Sequence, residues 1–204
     1  MDLSAPLRTV TPTIDGDVLA VLARADDWYT VSTIRRLSGS GSGEGVRKVL
    51  KRLAHEGVVD TQPAGNSMLY RLNRDHIAAE AITDLAHLAV RLRDRMSEAV
   101  SRFQLRPTYA ILFGSAARST MTSASDLDLL FVRDGEMTDE WADDLDAFAH
   151  SVFRWSGNDP QIVEYERSTI VGAAGDEPLL ESVAVDGIAI HGSLAAFRRE
   201  VRPR

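Results

Sequence analysis

The chain has 204 residues, no cysteine and a formal net charge of −7, a length that allows one large domain or two small ones. It has no means of forming a disulfide or a thiolate metal site, and no apolar run approaches the ~18 residues of a membrane span. Met1 to Val10 is polar and contains a proline where a secretory signal would be apolar, so a cytoplasmic protein is expected. The charge is uneven: residues 1–106 carry 15 Lys+Arg and 13 Asp+Glu, whereas residues 107–204 carry 8 and 17. Such asymmetry suggests two domains with different partners.

In chain order, Asp17 to Ala25 is predicted as a short helix, with Val18, Leu19, Val21 and Leu22 apolar. Val31 to Leu37 is a second helix, capped by Thr30. Ser38 to Gly43 alternates serine and glycine and breaks the helical pattern. A third helix then runs from Glu44 to Glu56 and stops at Gly57. Its apolar residues Val46, Val49, Leu50 and Leu53 fall at i, i+3, i+4 and i+7 and form one buried stripe. Arg47, Lys48, Lys51 and Arg52 lie between them and face water. Val58 to Thr61 and Met68 to Leu72 flank a Pro/Gly/Asn turn and read as a β-hairpin.

Helix, helix, basic helix and hairpin make a winged helix-turn-helix over residues 1–75. The basic residues of its third helix are expected to meet double-stranded DNA, with Arg71 and Asn66 reaching from the wing. A charge of only +2 over residues 1–106 keeps the other reading open, a solvated amphipathic helix in a protein-interaction module.

From His76 to Phe103, apolar residues recur every three or four positions: Ile77, Ala81, Leu85, Leu88, Leu92, Met96, Val100 and Phe103. Pro107 sets the limit. A single long helix linking two domains is predicted over 76–106, its stripe also suited to a homodimer.

The remaining half, 107–204, alternates strand and helix. Strands are predicted at 109–113, 127–132 and 161–165, and helices from Ser115, over 138–155 and over 168–174. The passage from Pro178 to Gly192 reads as a helix, a turn at Asp186-Gly187 and a last short strand. The fold class expected is α+β: a winged helix-turn-helix, a linking helix and a mixed sheet with flanking helices.

The chemistry concentrates at two points of that second half. The apolar run from Tyr109 to Phe113 ends in Gly114-Ser115, a turn at which backbone amides open toward an anion. Across ten intervening residues comes Asp126-Leu127-Asp128. Alternation along a strand points Asp126 and Asp128 the same way, with Cα atoms ~6.5–7 Å apart. Two carboxylates so placed repel each other, and a hard divalent cation suits the space between them. The five histidines are scattered without metal-ligand spacing, and Trp28, Trp141 and Trp155 read as core or interface anchors.

This pairing of Gly114-Ser115 with Asp126 and Asp128 resembles the signature of the DNA polymerase β-like nucleotidyltransferases, particularly their minimal bacterial members, over residues 108–192. The resemblance implies that Ser115 and nearby amides hold a nucleoside triphosphate, that Asp126 and Asp128 bind Mg²⁺ or Mn²⁺, and that Arg118 reaches a phosphate. It further implies transfer of a nucleoside monophosphate to a hydroxyl of a protein or small molecule. Members of that superfamily carry a third carboxylate on a later strand. Here Gln161 stands at that position, and it can neither take a proton nor neutralise a metal. Glu164 has the opposite strand parity and would serve only if a bulge turned it round. Two functions therefore stand side by side: a nucleotidyltransferase coupled to DNA binding, and a DNA-binding regulator or antitoxin-like module whose second domain only senses nucleotide.

Overall fold

The computed structural model describes residues 1–202. They divide into two compact units, residues 5–89 and residues 90–204 with 1–4.

In the first unit, α1 (Ile14–Arg24) starts three residues before the sequence reading and buries Val18, Val21 and Leu22. A two-residue strand, β1 (Tyr29–Thr30), leads into α2 (Val31–Ser38). Thr30 caps that helix as expected, its hydroxyl accepting from the Thr33 amide at 3.2 Å. The helix closes at Gly39, whose φ of 64° makes a left-handed cap. Next, α3 (Gly43–His55) is capped by Ser42, which accepts from the Gly45 amide at 3.0 Å, and it buries Val46, Leu50 and Leu53.

The hairpin is longer than its turn chemistry suggested. β2 (Val59–Ala64) and β3 (Ser67–Leu72) pair antiparallel up to Ala64 opposite Ser67, leaving only Gly65-Asn66 to turn. β3 is central in the order β1-β3-β2. Pro63 can therefore sit in β2, because an edge strand loses no ladder bond to a missing N–H on its open side. α4 (Ala79–Ala86) completes this unit, with Ala79, Ile82 and Ala86 packed into its core.

The single long helix over 76–106 is a correction. The helix is interrupted at His87 (φ −100°, ψ 12°), and α5 (Leu88–Ser101) is a separate element. The chain passes from one unit to the other within α5, after Ala89. The apolar spacing is real, but its halves serve two cores: Ala79 and Ile82 in the first unit, and buried Leu92, Met96 and Val100 in the second. Ile77, placed on that stripe by spacing alone, is 96% exposed.

The second unit is built on a four-stranded mixed sheet of order β6-β5-β4-β7, formed by β4 (Tyr109–Leu112), β5 (Leu127–Arg133), β6 (Pro160–Glu166) and β7 (Ile188–His191). β5 and β6 run parallel, and the other pairs run antiparallel. A one-turn helix, α6 (Gly114–Ala117), joins β4 toward β5, and α7 (Asp139–Ser156) makes the crossover to β6. Short α8 (Arg167–Ile170) and α9 (Pro178–Asp186) lead back to β7.

Alternation along the strands gives the sheet two different faces. On one, Phe131 stacks on Phe103 at 6.0 Å and meets Trp141 and Phe148 edge-on at 6.3 and 5.3 Å. On the other, Tyr109, Ile111, Leu130 and Val132 pack with Ile170, Leu180, Val183 and Phe197. The sequence reading missed a last helix, α10 (Leu194–Val201). Glu200 fastens it to the sheet, accepting from the Tyr109 hydroxyl at 2.8 Å and from Arg167 at 2.7 and 3.1 Å. Burial and that carboxylate push the Tyr109 hydroxyl up to about 12.

Candidate functional site

β4 is buried along its whole length and delivers the chain to Gly114 at the end of a central strand. The Phe113 amide closes the corner by donating to the Asp128 carbonyl at 2.9 Å. Gly114 has φ +67°, and a Cβ there would lie 1.9 Å from Asp128 Oδ2. Only glycine satisfies both conditions, so the turn and the aspartate form one packed object. The chain then winds once through α6. A helix of four residues contributes first-turn amides that lack intrahelical acceptors but little macrodipole.

Asp128 is half-buried in β5, whereas Asp126 lies just before the strand and is exposed. The two nonetheless feel each other. Burial, and then the Asp126 charge, hold the Asp128 carboxyl above its ordinary range, and Arg118 pulls it back. The loop carrying Asp126 is pinned by a residue with no motif to announce it. Asn158, 2% exposed, donates from Nδ2 to the Ser125 carbonyl at 2.8 Å. The Leu127 amide bonds the Asp159 carbonyl at 2.8 Å, and Met121 is buried beneath the same loop.

Gln161 lies in β6, the strand beside β5. It pairs with Asp128 across parallel strands, on the same face, and its Nε2 donates to Asp159 Oδ2 at 3.1 Å. Glu164 is a correction. The register from Leu127 opposite Pro160 to Arg133 opposite Glu166 is unbroken, so no bulge turns Glu164 round. It faces α7 and accepts from the Trp141 indole N–H at 2.6 Å. The site thus holds two carboxylates and an amide.

Ser115 and Arg118 stand on the same turn, with Arg118 Nη1 3.5 Å from Asp186 Oδ2. Asp186 is a second residue without a sequence signal, brought in from the far end of the chain. Among the described residues, no cluster of three or more His, Cys, Asp or Glu side chains is arranged to hold a metal ion. Two hard carboxylate donors, one of them raised above its ordinary range by burial and then by its neighbour, nevertheless fit a divalent cation whose remaining ligands come from phosphate and water.

The expected DNA-binding residues separate into two groups. Lys48 and Lys51 are exposed on α3 and make no ion pair among the described residues. Arg47 is half-exposed and pairs with Glu44 at 2.8 Å. Arg52 and Arg71 pair with carboxylates of their own unit. Arg52 is held by Asp15 and by Glu56 at 3.0 Å. Arg71 lies 4.7 Å over the Trp28 ring, 3.1 Å from Asp60 and 3.7 Å from Asp26. Spacing also missed Arg35, which with Arg47, Asn66, Ser67 and Tyr70 lines an open groove of about 380 Å³ between the helices and the hairpin.

Among the described residues no helix is long and apolar enough to cross a membrane. No curated protein matches the chain closely enough to count as a relative. Solved structures give distant likenesses. A toxin-antitoxin complex with AMP-PNP is 14% identical, covering 53% of this chain and 80% of that one with a TM-score of 0.40. A doubly substituted MntA-HpeT toxin-antitoxin complex is 12% identical over the same shares, with a TM-score of 0.41. TrmBL2, an archaeal chromatin protein described with a novel mode of DNA binding, is 14% identical, covering 89% of this chain and 76% of that one at a TM-score of 0.31. Likenesses this distant fix no function. Residues 93–155 match the family model described as Nucleotidyltransferase domain, and this match, which includes Gly114, Ser115, Asp126 and Asp128, supports the nucleotidyltransferase superfamily for the second unit.

Proposed function

We propose that the second unit is a nucleotidyltransferase that binds a nucleoside triphosphate with Mg²⁺ or Mn²⁺ and transfers its nucleoside monophosphate to a hydroxyl of a protein or small molecule. In the same reading, the first unit is a winged helix-turn-helix that binds double-stranded DNA, and the protein works in the cytoplasm. The observation that carries it is Gly114 at φ +67° against the Asp128 carboxylate, itself raised by burial and then by Asp126. An anion turn packed against a carboxylate pair serves nucleotide phosphates and their counter-cation.

Ser115 and the turn's amides bind the β- and γ-phosphates, and Arg118 supplies a mobile positive charge beside them. Asp126 and Asp128 hold the cation, which offsets phosphate charge while the acceptor hydroxyl displaces pyrophosphate. Gln161 orients through its amide but supplies no base. On the first unit, Lys48, Lys51, Arg47 and Arg35 make the basic surface. Incubation with each labelled NTP, Mg²⁺ and cell extract tests the reading. A labelled acceptor should form with the wild type and be lost in Asp126→Asn/Asp128→Asn.

One observation favours a second reading. With Gln161 beside Asp128 and Glu164 committed to Trp141, no third carboxylate shares the face of the pair in β6. Nucleotide binding without transfer would then make the second unit a sensor for a DNA-binding regulator or an antitoxin-like module. Metal-dependent NTP binding with no labelled product from any NTP would select it.

A further inference from the structure

We propose that Asp186 is the resident counter-ion of Arg118: it holds the guanidinium when no nucleotide is bound and yields it to the polyphosphate of an incoming nucleotide. The proposal rests on the nucleotide-binding reading of the Gly114 turn.

The sheet itself brings Asp186 there. β7 pairs antiparallel with β4, with Ile188 opposite Leu112. Asp186 is two residues before Ile188, and Gly114 is two residues after Leu112. Extending the register therefore sets the last residue of α9 across from the anion turn. The approach is tight. A Cβ on Gly187 would lie 2.5 Å from the Val183 carbonyl oxygen and 2.7 Å from Ile111 Cγ2, so the chain must leave α9 directly against β4. This fixes where the Asp186 side chain begins.

The pair it forms is built to exchange. Arg118 and Asp186 are 3.5 Å apart, with side chains 45% and 35% exposed. Ion pairs of that kind contribute little, because water competes for both partners. Arg118 also acts on Asp128, so one cation stands between two carboxylates, Asp128 and Asp186. A polyphosphate placed on Ser115 offers that guanidinium more charge and a bidentate partner. Taking it leaves Asp186 uncompensated beside an anion. Asp186 therefore lowers nucleotide affinity and makes Arg118 a group that changes partner on binding.

The test is calorimetry of the full chain with MgATP, MgGTP and magnesium pyrophosphate, using wild type, Asp186→Asn, Arg118→Gln and the double variant. Asp186→Asn should bind the preferred probe about two- to fivefold more tightly, the range an exposed pair commands. Arg118→Gln should bind more weakly. The gain from Asp186→Asn should vanish in the Arg118→Gln background. Weaker or unchanged binding by Asp186→Asn overturns the proposal, because Asp186 would then steady Arg118 for phosphate or have no part in it. A gain that persists without Arg118 overturns it too, by showing a general field effect. If neither wild type nor Asp186→Asn binds any probe, the nucleotide reading itself fails and the proposal falls with it. Far-UV circular dichroism confirms that each variant is folded.

Discussion

At Gly114 a single methyl group would occupy the space of an Asp128 carboxylate oxygen, in a backbone conformation that L-residues avoid. Gly114→Ala should cost about 2–3 kcal/mol, from a positive φ and a forced shift of Asp128. For a chain of this size that is a fall of about 5–10 °C in Tm, accompanied by loss of metal-dependent nucleotide binding. Unchanged melting and affinity would show that Asp128 does not pack on the turn. Asp128 supplies a second prediction with a definite sign. Its carboxyl is raised in the folded protein by burial and by Asp126, so the folded state holds that proton to a higher pH than the unfolded chain. Stability therefore falls as pH rises through that window, and above it the ionised pair opposes folding. Asp128→Asn, measured in chelator at pH 7, should raise Tm by about 1–2 °C, and the gain should shrink toward acid pH. A lower Tm at pH 7 would contradict this. The turn and the pair were legible in the sequence because both are local, a glycine closing an apolar run and two acids at strand spacing. Asn158 and Asp186 were not, since each reaches the site through pairing with residues more than thirty positions away, and neither residue type marks itself.

Between elements, register decides what parity can only suggest. Spacing placed Gln161 and Glu164 on opposite faces of one strand, and the unbroken pairing of β5 with β6 makes that final. The partner of Glu164 was beyond reach of the sequence, because Trp141 belongs to a helix whose packing angle is set by the whole aromatic cluster. Glu164→Gln should cost about 1–2 kcal/mol, through loss of a charge-assisted bond to a buried indole, and leave nucleotide binding unchanged. Gln161→Glu should raise any transfer activity, because a positioned base contributes ~10²–10⁴-fold. Loss of a robust wild-type activity in Glu164→Gln would reverse both assignments. The pair of helices α4 and α5 shows the limit of periodicity from another side. The apolar spacing continues through His87 without a signal, yet the residues on either side of the break are buried in different cores. Spacing reports that a face is buried and is silent on which core buries it.

At the scale of the molecule, the acidic excess and the basic helix α3 belong to different units. The second half carries the acidic excess, so attraction to DNA must come from a small set of cations on the first unit. With Arg52 and Arg71 engaged by carboxylates, Lys48 and Lys51 are the residues of α3 with charge to spare. Lys48→Ala/Lys51→Ala should weaken DNA binding and flatten its salt dependence, since fewer phosphates are neutralised and fewer counterions leave the duplex. Arg71→Ala should leave the salt slope unchanged and lower Tm, because Arg71 packs on Trp28 between two aspartates. No shift of double-stranded DNA even at low salt would make the first unit a protein-interaction module. In the other unit, Gly114-Ser115 with Asp126 and Asp128 is proposed as one site for a nucleotide and its metal. Calorimetric titration of wild type and Asp126→Asn/Asp128→Asn with each NTP, in Mg²⁺ and in chelator, tests it most directly. Metal-dependent binding by the wild type, lost in a double variant that remains folded, is the predicted result, and equal affinity in both proteins, or in Mg²⁺ and chelator, would contradict it.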